Sequence, residues 1–401
     1  MVFSSLKQGI MTTKRINKPY KEDIKTHLKL IKPKLVVRAA LVNNWLEITG
    51  IGNYAFNLGR ELQKLIETEH IYLSMGETPA AEKNLRVIDY GFTHGPIQIK
   101  RFINELIVFP LKFSANQDFD LYHFASHIIG NLALKVKPSV VTCHDASNFV
   151  LESDTLPGYY YNRKIRQHVK ALAKIEKIIT VSNFSKNELI KHCNFDDDLI
   201  AVTHLGFNQK VFRPGNKKTA REKLGLPLDK KIILHVGGEG QRKNVNTVFQ
   251  ALKEMNDPDL IFNRVGKRYG GCQKTIKQLS LKGVQYAQNI SLKEMVLRYQ
   301  AADAFVFPSY YEGFGLPPLE AMACGCPVIA SNAASLPEVT GKAAIALDPF
   351  DITAWAENIG DVLNSESLQK KLSAKGLKQS QKFSWKKCAQ ETVKVYNEVL
   401  A

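Results

Sequence analysis

The chain has 401 residues, 44% hydrophobic and 23% charged, with a formal charge of +17. That length exceeds one ordinary core and predicts two domains; the composition is that of a globular protein, and no stretch offers the roughly 20 uninterrupted apolar residues of a membrane span. The charge asks for an anionic partner, yet neither zinc-finger spacing nor an RNA-binding aromatic signature accompanies it, so no nucleic acid is expected.

The start, "MVFSSLKQGIMTTKRINKPY", is basic but lacks the apolar core and small-residue cleavage site of a secretion signal. Residues 1–33 therefore read as a basic extension of a cytoplasmic protein. The cysteines Cys143, Cys193, Cys272, Cys324, Cys326 and Cys388 are scattered without zinc-like pairs, as in a reduced compartment. Cys324 and Cys326 are expected to be buried.

From 34 onward, short Val- and Ile-rich runs alternate with amphipathic helical patterns, which predicts parallel sheets with helical crossovers. Strands are expected at 34–39, 120–124, 139–143, 177–181 and 199–204. A helix over "NYAFNLGRELQKLIE" places Ala55, Leu58, Leu62 and Leu65 on one face. The polar, proline- and glycine-containing stretch "NQKVFRPGNKKTAREKLGLPLDKK" ends the first domain near 212. The second domain repeats the pattern, with strands at 231–236, 259–265, 283–286, 303–308, 327–330 and 343–347. Ser291 and Glu294 have capping-box spacing at the start of a helix. The domains are set at 34–212 and 213–380, with 381–401 a terminal helix packing back toward the first.

Ligands of such sheets bind beyond the carboxyl ends of the strands, and the unusual residues fall there. After the strand ending at Val236, "GGEGQRK" carries Gly238, Arg242 and Lys243 ahead of a helix. Cations at a helix N-terminus oppose its dipole unless an anion is present, and a diphosphate would supply one. Read alone, the loop is equally that of a solvated sheet edge. The segment "FPSYYEGFGLPPLEAMACGCPVIA" places Glu312 just beyond a strand and Glu320 in the first turns of a helix starting at Pro317 or Pro318. Gly313 and Gly315 let backbone N–H groups approach a ligand. Singly, Glu320 reads as a first-turn acid and Glu312 as a loop charge; with Arg242 and Lys243 they describe one ligand space.

These residues resemble the nucleotide-sugar-binding half of the retaining GT-B glycosyltransferases of the family 4-like, group 1 kind, which includes bacterial mannosyltransferases. The family's Glu-x7-Glu signature and following turn stand here as Glu312, Glu320, Ala321, Ala323, Gly325, Pro327, Val328 and Ile329. "SNAASLPEVTGKAAIALDPFD" is similar to its next loop. More loosely, "ITGIGNYAFNLGREL" resembles its glycine-rich loop, with Gly50 and Gly52, and "VVTCHD" supplies His144. Matching is weak from 66 to 118.

The resemblance implies a GT-B fold, two Rossmann-like α/β domains facing across a cleft. It implies that Glu320 holds the ribose hydroxyls, Glu312 the donor-sugar hydroxyls, Arg242 and Lys243 the diphosphate, and that His144 contacts the transferred sugar. Gly50, Gly52, Gly238, Gly313, Phe314, Gly315 and Leu316 line the donor. Neither a cofactor nor a metal is expected: no Asp-x-Asp follows a strand, and "NFDDDLI" precedes one. The implied reaction moves a hexosyl group, mannose from GDP-mannose, onto a saccharide or lipid-linked acceptor of cell-surface polysaccharide. A UDP-sugar donor, or a nucleotide-sugar epimerase of the same fold, is the alternative. Asn53 stands where relatives often have arginine, which weakens the expectation of an anionic acceptor. Finally, "QIKRFINELIVFPLKFSA" combines Lys100, Arg101 and Lys112 with apolar residues. It fits a peripheral contact with an anionic bilayer or an internal helix and its packing partner.

Overall fold

The computed structural model describes residues 38–45, 49–75, 79, 84–89, 97–113, 119–151, 156–268 and 270–401. The expected extension over 1–33 lies outside them. Thirteen strands among the described residues form two sheets. In the first, β1 (Arg38–Asn43), β2 (Glu67–Ser74), β3 (Leu85–Asp89), β4 (Leu121–Phe124), β5 (Ser139–Cys143), β6 (Lys177–Thr180) and β7 (Ile200–Val202) lie in the order β3-β2-β1-β4-β5-β6-β7. In the second, β8 (Lys231–Val236), β9 (Leu260–Val265), β10 (Val284–Ala287), β11 (Ala304–Phe307), β12 (Val328–Ser331) and β13 (Ile345–Leu347) lie in the order β10-β9-β8-β11-β12-β13. Every strand pair is parallel. These are the two Rossmann-like α/β domains that the sequence predicts.

Three local differences have physical reasons. The first strand runs past 39 to Asn43, because the fully buried run is Ala39–Val42, at the sheet centre between β2 and β4; of its expected range, 34–37 lie outside the described residues. Strands β2 and β3 were not anticipated: Glu67 and Glu69 interrupt an apolar pattern, and the structure offsets them with Arg38 and Arg86 at the sheet margin. The first helix runs Gly50–Leu62, capped by Thr49, and buries Ala55, Leu58 and Leu62 as expected. Leu65, expected on the same face, lies past the helix end and is exposed, because the chain turns there to enter β2.

One apolar cluster runs through both halves. It joins Leu41, Tyr54 and Val181 of the first to Phe305, Phe314 and Leu319 of the second, with Phe212, Phe383 and Trp385. The C-terminal helix, Trp385–Leu400, packs against the Gly50–Leu62 helix and β6 of the first sheet. Cys324 and Cys326 are buried in the same cluster.

Each sheet has one position where the strand order reverses, between β1 and β4 and between β8 and β11. Crevices open outside the carboxyl ends of strands at such points. The loops after β1, β4, β8 and β11 are the ones that carry Asn44, His127, Arg242 and Glu312.

Candidate functional site

In the second domain, Arg242 and Lys243 sit on a short turn, Gln241–Lys243, that follows β8. Asn244 ends the turn in the left-handed conformation, φ 50°, and its amide donates to the carbonyls of Pro308 and Pro349. The backbone then continues as the helix Val245–Met255. The turn is stitched to the loop after β11: Tyr310 N donates to Arg242 O at 3.0 Å, and Arg242 Nη1 to Tyr311 O at 3.0 Å. Strands β8 and β11 are immediate neighbours, which makes this stitching possible.

Glu312 lies between the two cations. Its Oε2 accepts from Arg242 Nη1 at 2.7 Å and its Oε1 from Lys243 Nζ at 2.6 Å, with the residue 8% exposed. Burial would raise this carboxyl, but Lys243 and then Arg242 outweigh it and hold it below the usual carboxylate range. The dipole conflict read from the sequence is thus relieved inside the protein by Glu312. Both cations are thereby desolvated and oriented before any ligand arrives.

Gly313 lies directly against the other domain. A Cβ there would stand 2.2 Å from the His144 carbonyl oxygen, so only glycine fits. Its own carbonyl accepts from Ser182 Oγ at 2.6 Å, and Ser185 Oγ stands 3.2 Å away. Both serines belong to the start of the helix Asn183–Cys193, which Ser182 caps. From the other side, Ser335 Oγ lies 2.9 Å from Glu312 O and 2.7 Å from Phe314 O. Gly315 holds φ 116° and starts the helix Leu316–Ala323. Prolines at 317 and 318 remove two of its first-turn donors, leaving Leu316 N–H as the first helical donor. The Phe314 ring packs on Phe383 and His204 in the core, so its contribution to a ligand is its backbone.

Glu320 stands on that helix, half-buried, and accepts from Tyr299 Oη at 3.0 Å. Burial pushes its carboxyl up to about 7, against the lowering effect of the tyrosine. Two acids eight positions apart are therefore set in opposite states, Glu312 ionised by two cations and Glu320 poised to titrate near neutrality. Nothing in their sequence spacing foretells this, because the elements that bury Glu320, among them the Leu292–Ala301 helix with Tyr299, lie elsewhere in the chain.

In the first domain, His144 follows β5. Its Nε2 donates to the Ala125 carbonyl at 2.8 Å, which leaves Nδ1 as the lone-pair nitrogen of the neutral ring. Burial lowers this imidazole to about 4, so it is neutral at pH 7. Tyr54 packs edge-on against it at 4.8 Å. A buried chain then runs from Tyr54 Oη through Thr142 Oγ1, 2.8 Å, and His123, 2.7 Å, to Tyr396 Oη, 2.7 Å, on the C-terminal helix. Gly50 opens the Gly50–Leu62 helix with free space around its Cα, whereas Gly52 N is committed to the Thr49 cap. Gly238 lies in the loop pressed against Gly266.

The sequence reading missed several supports: Asn244, Tyr299, Ser335 and the second-domain Glu338. Glu338 accepts from Asn183 N at 2.9 Å and His204 Nε2 at 2.6 Å, so it reaches the start of a first-domain helix. Its place in "SLPEV" was the available signal. No helix among the described residues is long and apolar enough to cross a membrane.

Residues 216–379 match the model of the Glycosyl transferases group 1 family and residues 48–210 that of Glycosyltransferase Family 4. The chain is 29% identical over 373 residues to the O-antigen chain mannosyltransferase B of Escherichia coli, covering 87% of this chain and 96% of that protein. Among solved structures it is similar in fold to the sucrose-phosphate synthase of Thermosynechococcus elongatus, with a TM-score of 0.75 and 21% identity over 90% of this chain and 98% of that one. The Anabaena protein Alr3699/HepE, solved with UDP-glucose, gives a TM-score of 0.70 and 15% identity over 90% of this chain and all of its own, 100%.

Proposed function

We propose, for a chain that belongs to the GT-B-fold glycosyltransferases of the group 1 and family 4 superfamily, that it moves a mannosyl group from GDP-mannose onto a saccharide or lipid-linked saccharide. The observation that carries the reading is the ion triad of Arg242, Lys243 and Glu312, set beside Gly313, whose backbone lies against His144 and Ser182 of the first domain. Breaking the bond between sugar and diphosphate puts negative charge on the leaving group. Arg242 offers a planar fork and Lys243 a point charge to receive it. As the phosphates take up those cations, Glu312 is released to accept hydroxyls of the sugar. Glu320 takes the ribose hydroxyls, and neutral His144 offers Nδ1 to a sugar hydroxyl. No metal is assigned a role.

Mannose is supported by the likeness to the O-antigen chain mannosyltransferase B, which also favours a role in cell-surface polysaccharide, and GDP follows from the sequence resemblance alone. A UDP-hexose donor is the second reading, favoured by the fold neighbour solved with UDP-glucose. The test is to incubate the protein with a donor panel and measure nucleoside diphosphate release. GDP-mannose is expected to be preferred. Preference for UDP-sugars overturns the donor assignment, and release of an epimerised nucleotide sugar without acceptor overturns the transferase reaction.

A peripheral contact with the cytoplasmic face of an anionic membrane belongs to the same proposal. The helical run 97–112 buries Phe109 but leaves Phe102, Ile107 and Leu111 exposed, Leu111 by 79%, beside Lys112. Exposed Arg163, Lys164, Lys170 and Lys174 add positive charge on the same domain. Flotation with anionic liposomes at low salt, weakening at physiological salt, is expected; no binding at low salt removes the membrane contact.

A further inference from the structure

A second polar centre lies at the other switch point, beyond β1 and β4. Glu105 is fully buried on a π-helical turn, Asn104–Val108, a feature frequent at functional sites. Its carboxylate accepts from Asn44 Nδ2 at 3.0 Å and from Tyr161 Oη at 2.6 Å, and its carbonyl lies 3.5 Å from Asn131 Nδ2. Both asparagines thereby commit their nitrogens to Glu105. What remains of them is a pair of carbonyl oxygens, Asn44 Oδ1 and Asn131 Oδ1, each buried and without a hydrogen-bond partner among the described residues. Around them stand two equally unmet N–H donors, Trp45 Nε1 and Arg101 Nε, with the Arg101 guanidinium 3.6 Å above the Trp45 ring. His127 adds an unmet Nδ1, its Nε2 being 3.2 Å from Asn148 Oδ1.

Buried polar atoms are normally paired, and each one left unmet carries a desolvation penalty. Five in one neighbourhood imply that something else completes them. Their chemistry restricts what that is. An anion would satisfy the indole and guanidinium but leave both amide oxygens unmet, and it would face Glu105. A cation would fail the donors. A hydroxyl group donates and accepts at once, so a polyol meets both kinds. Position adds a second restriction: His127 lies two residues past Ala125, whose carbonyl holds His144, and it acts electrostatically on that imidazole.

We infer that Asn44, Trp45, Arg101, His127 and Asn131 form the binding subsite for an uncharged, hydroxyl-rich saccharide acceptor, with Glu105 as the positioning residue that sets which ends of the asparagines are open. This rests on the transferase reading above and extends it to the acceptor class. It also agrees with Asn53, whose Oδ1 is taken by Asn57 Nδ2 at 2.5 Å and which offers no charge to a phosphate.

The experiment uses the full chain with a nucleoside diphosphate present and follows saturation-transfer NMR of neutral methyl α-glycosides (mannoside, glucoside and galactoside) and of their 6-phosphates. A neutral glycoside is expected to give signal, reduced about tenfold in Asn44→Ala and in Asn131→Ala. Nucleoside diphosphate affinity and acceptor-independent donor hydrolysis should stay within about twofold in both, which also reports that the variants fold. Glu105→Gln should weaken glycoside binding with the same donor parameters. Equal glycoside signals in wild type and variants, signal from the phosphorylated sugars alone, or none from any neutral glycoside overturns the subsite. Absence of donor turnover in the wild type would instead strike the transferase reading, so the two failures are distinguishable.

Discussion

Replacing Glu320 by glutamine removes a charge that the fold resists while leaving its shape. The carboxyl rises from an ordinary 4.5 to about 7 because it is buried beside Tyr299. A carboxyl raised in the folded state binds more protons folded than unfolded, so its burden is absent below 4.5, grows between 4.5 and 7, and is complete above 7. That difference amounts to at most about 3 kcal/mol, since part of the side chain is open to solvent. Glutamine is neutral throughout, so the stability advantage of Glu320→Gln over wild type should widen as pH rises from about 5 to about 8. Thermal midpoints of both proteins across that range measure it. Nucleotide binding should move oppositely. If the ionised carboxylate accepts ribose hydroxyls, each such bond contributes about 1.5–3 kcal/mol. Wild type should then bind the nucleoside diphosphate ~10- to 100-fold tighter than the variant above pH 7, with the gap closing below it. Titration of the diphosphate itself is common to both and cancels in the ratio. A stability gap that does not change with pH, or equal nucleotide affinity at alkaline pH, refutes the assignment.

Arg242→Ala with Lys243→Ala should nearly abolish transfer and, by stranding a buried Glu312, cost about 3–5 kcal/mol of stability; adding Glu312→Gln should restore stability in a melting assay without restoring transfer. Glu312→Ala alone should lower transfer by about 100-fold in steady-state kinetics. Calorimetry should show its nucleoside diphosphate affinity unchanged or tighter, because the cations lose their internal counter-charge; a parallel loss of both would contradict the division of roles. Ser335→Ala removes the one hydroxyl proton that the Glu312 and Phe314 carbonyls share and should cost roughly 1–3 kcal/mol, read as a lower melting point.

The site of the second domain was legible because its chemistry is compressed into short segments: Arg242 with Lys243, and Glu312 with Glu320, each follow a strand end in the sequence itself. The fold was legible from the apolar runs that became β5, β6, β8 and β11. What escaped depends on distance along the chain. Tyr299 donates to Glu320 from 21 residues away, and Glu338 reaches Asn183 across 155. The Glu105 centre drew no notice since "KRFINELIVF" reads as a plain amphipathic helix. Its acid becomes unusual only when Asn44 and Tyr161, 61 and 56 residues distant, close around it. Leu65 shows the reverse error, a periodicity continued past the point where the backbone turns.

The hydrogen bond between His123 and Tyr396 spans 273 residues. During synthesis the first sheet can pair its strands, but the imidazole on β4 has no partner for Nδ1 until residue 396 has left the ribosome. In the finished fold burial drives that ring down to about 3, so it is neutral there and relies on Tyr396 as the partner of Nδ1. The last helix therefore completes the first domain: a first half expressed by itself would carry an open seam along the Gly50–Leu62 helix, where Trp385 packs on Tyr54, and would leave His123 without Tyr396.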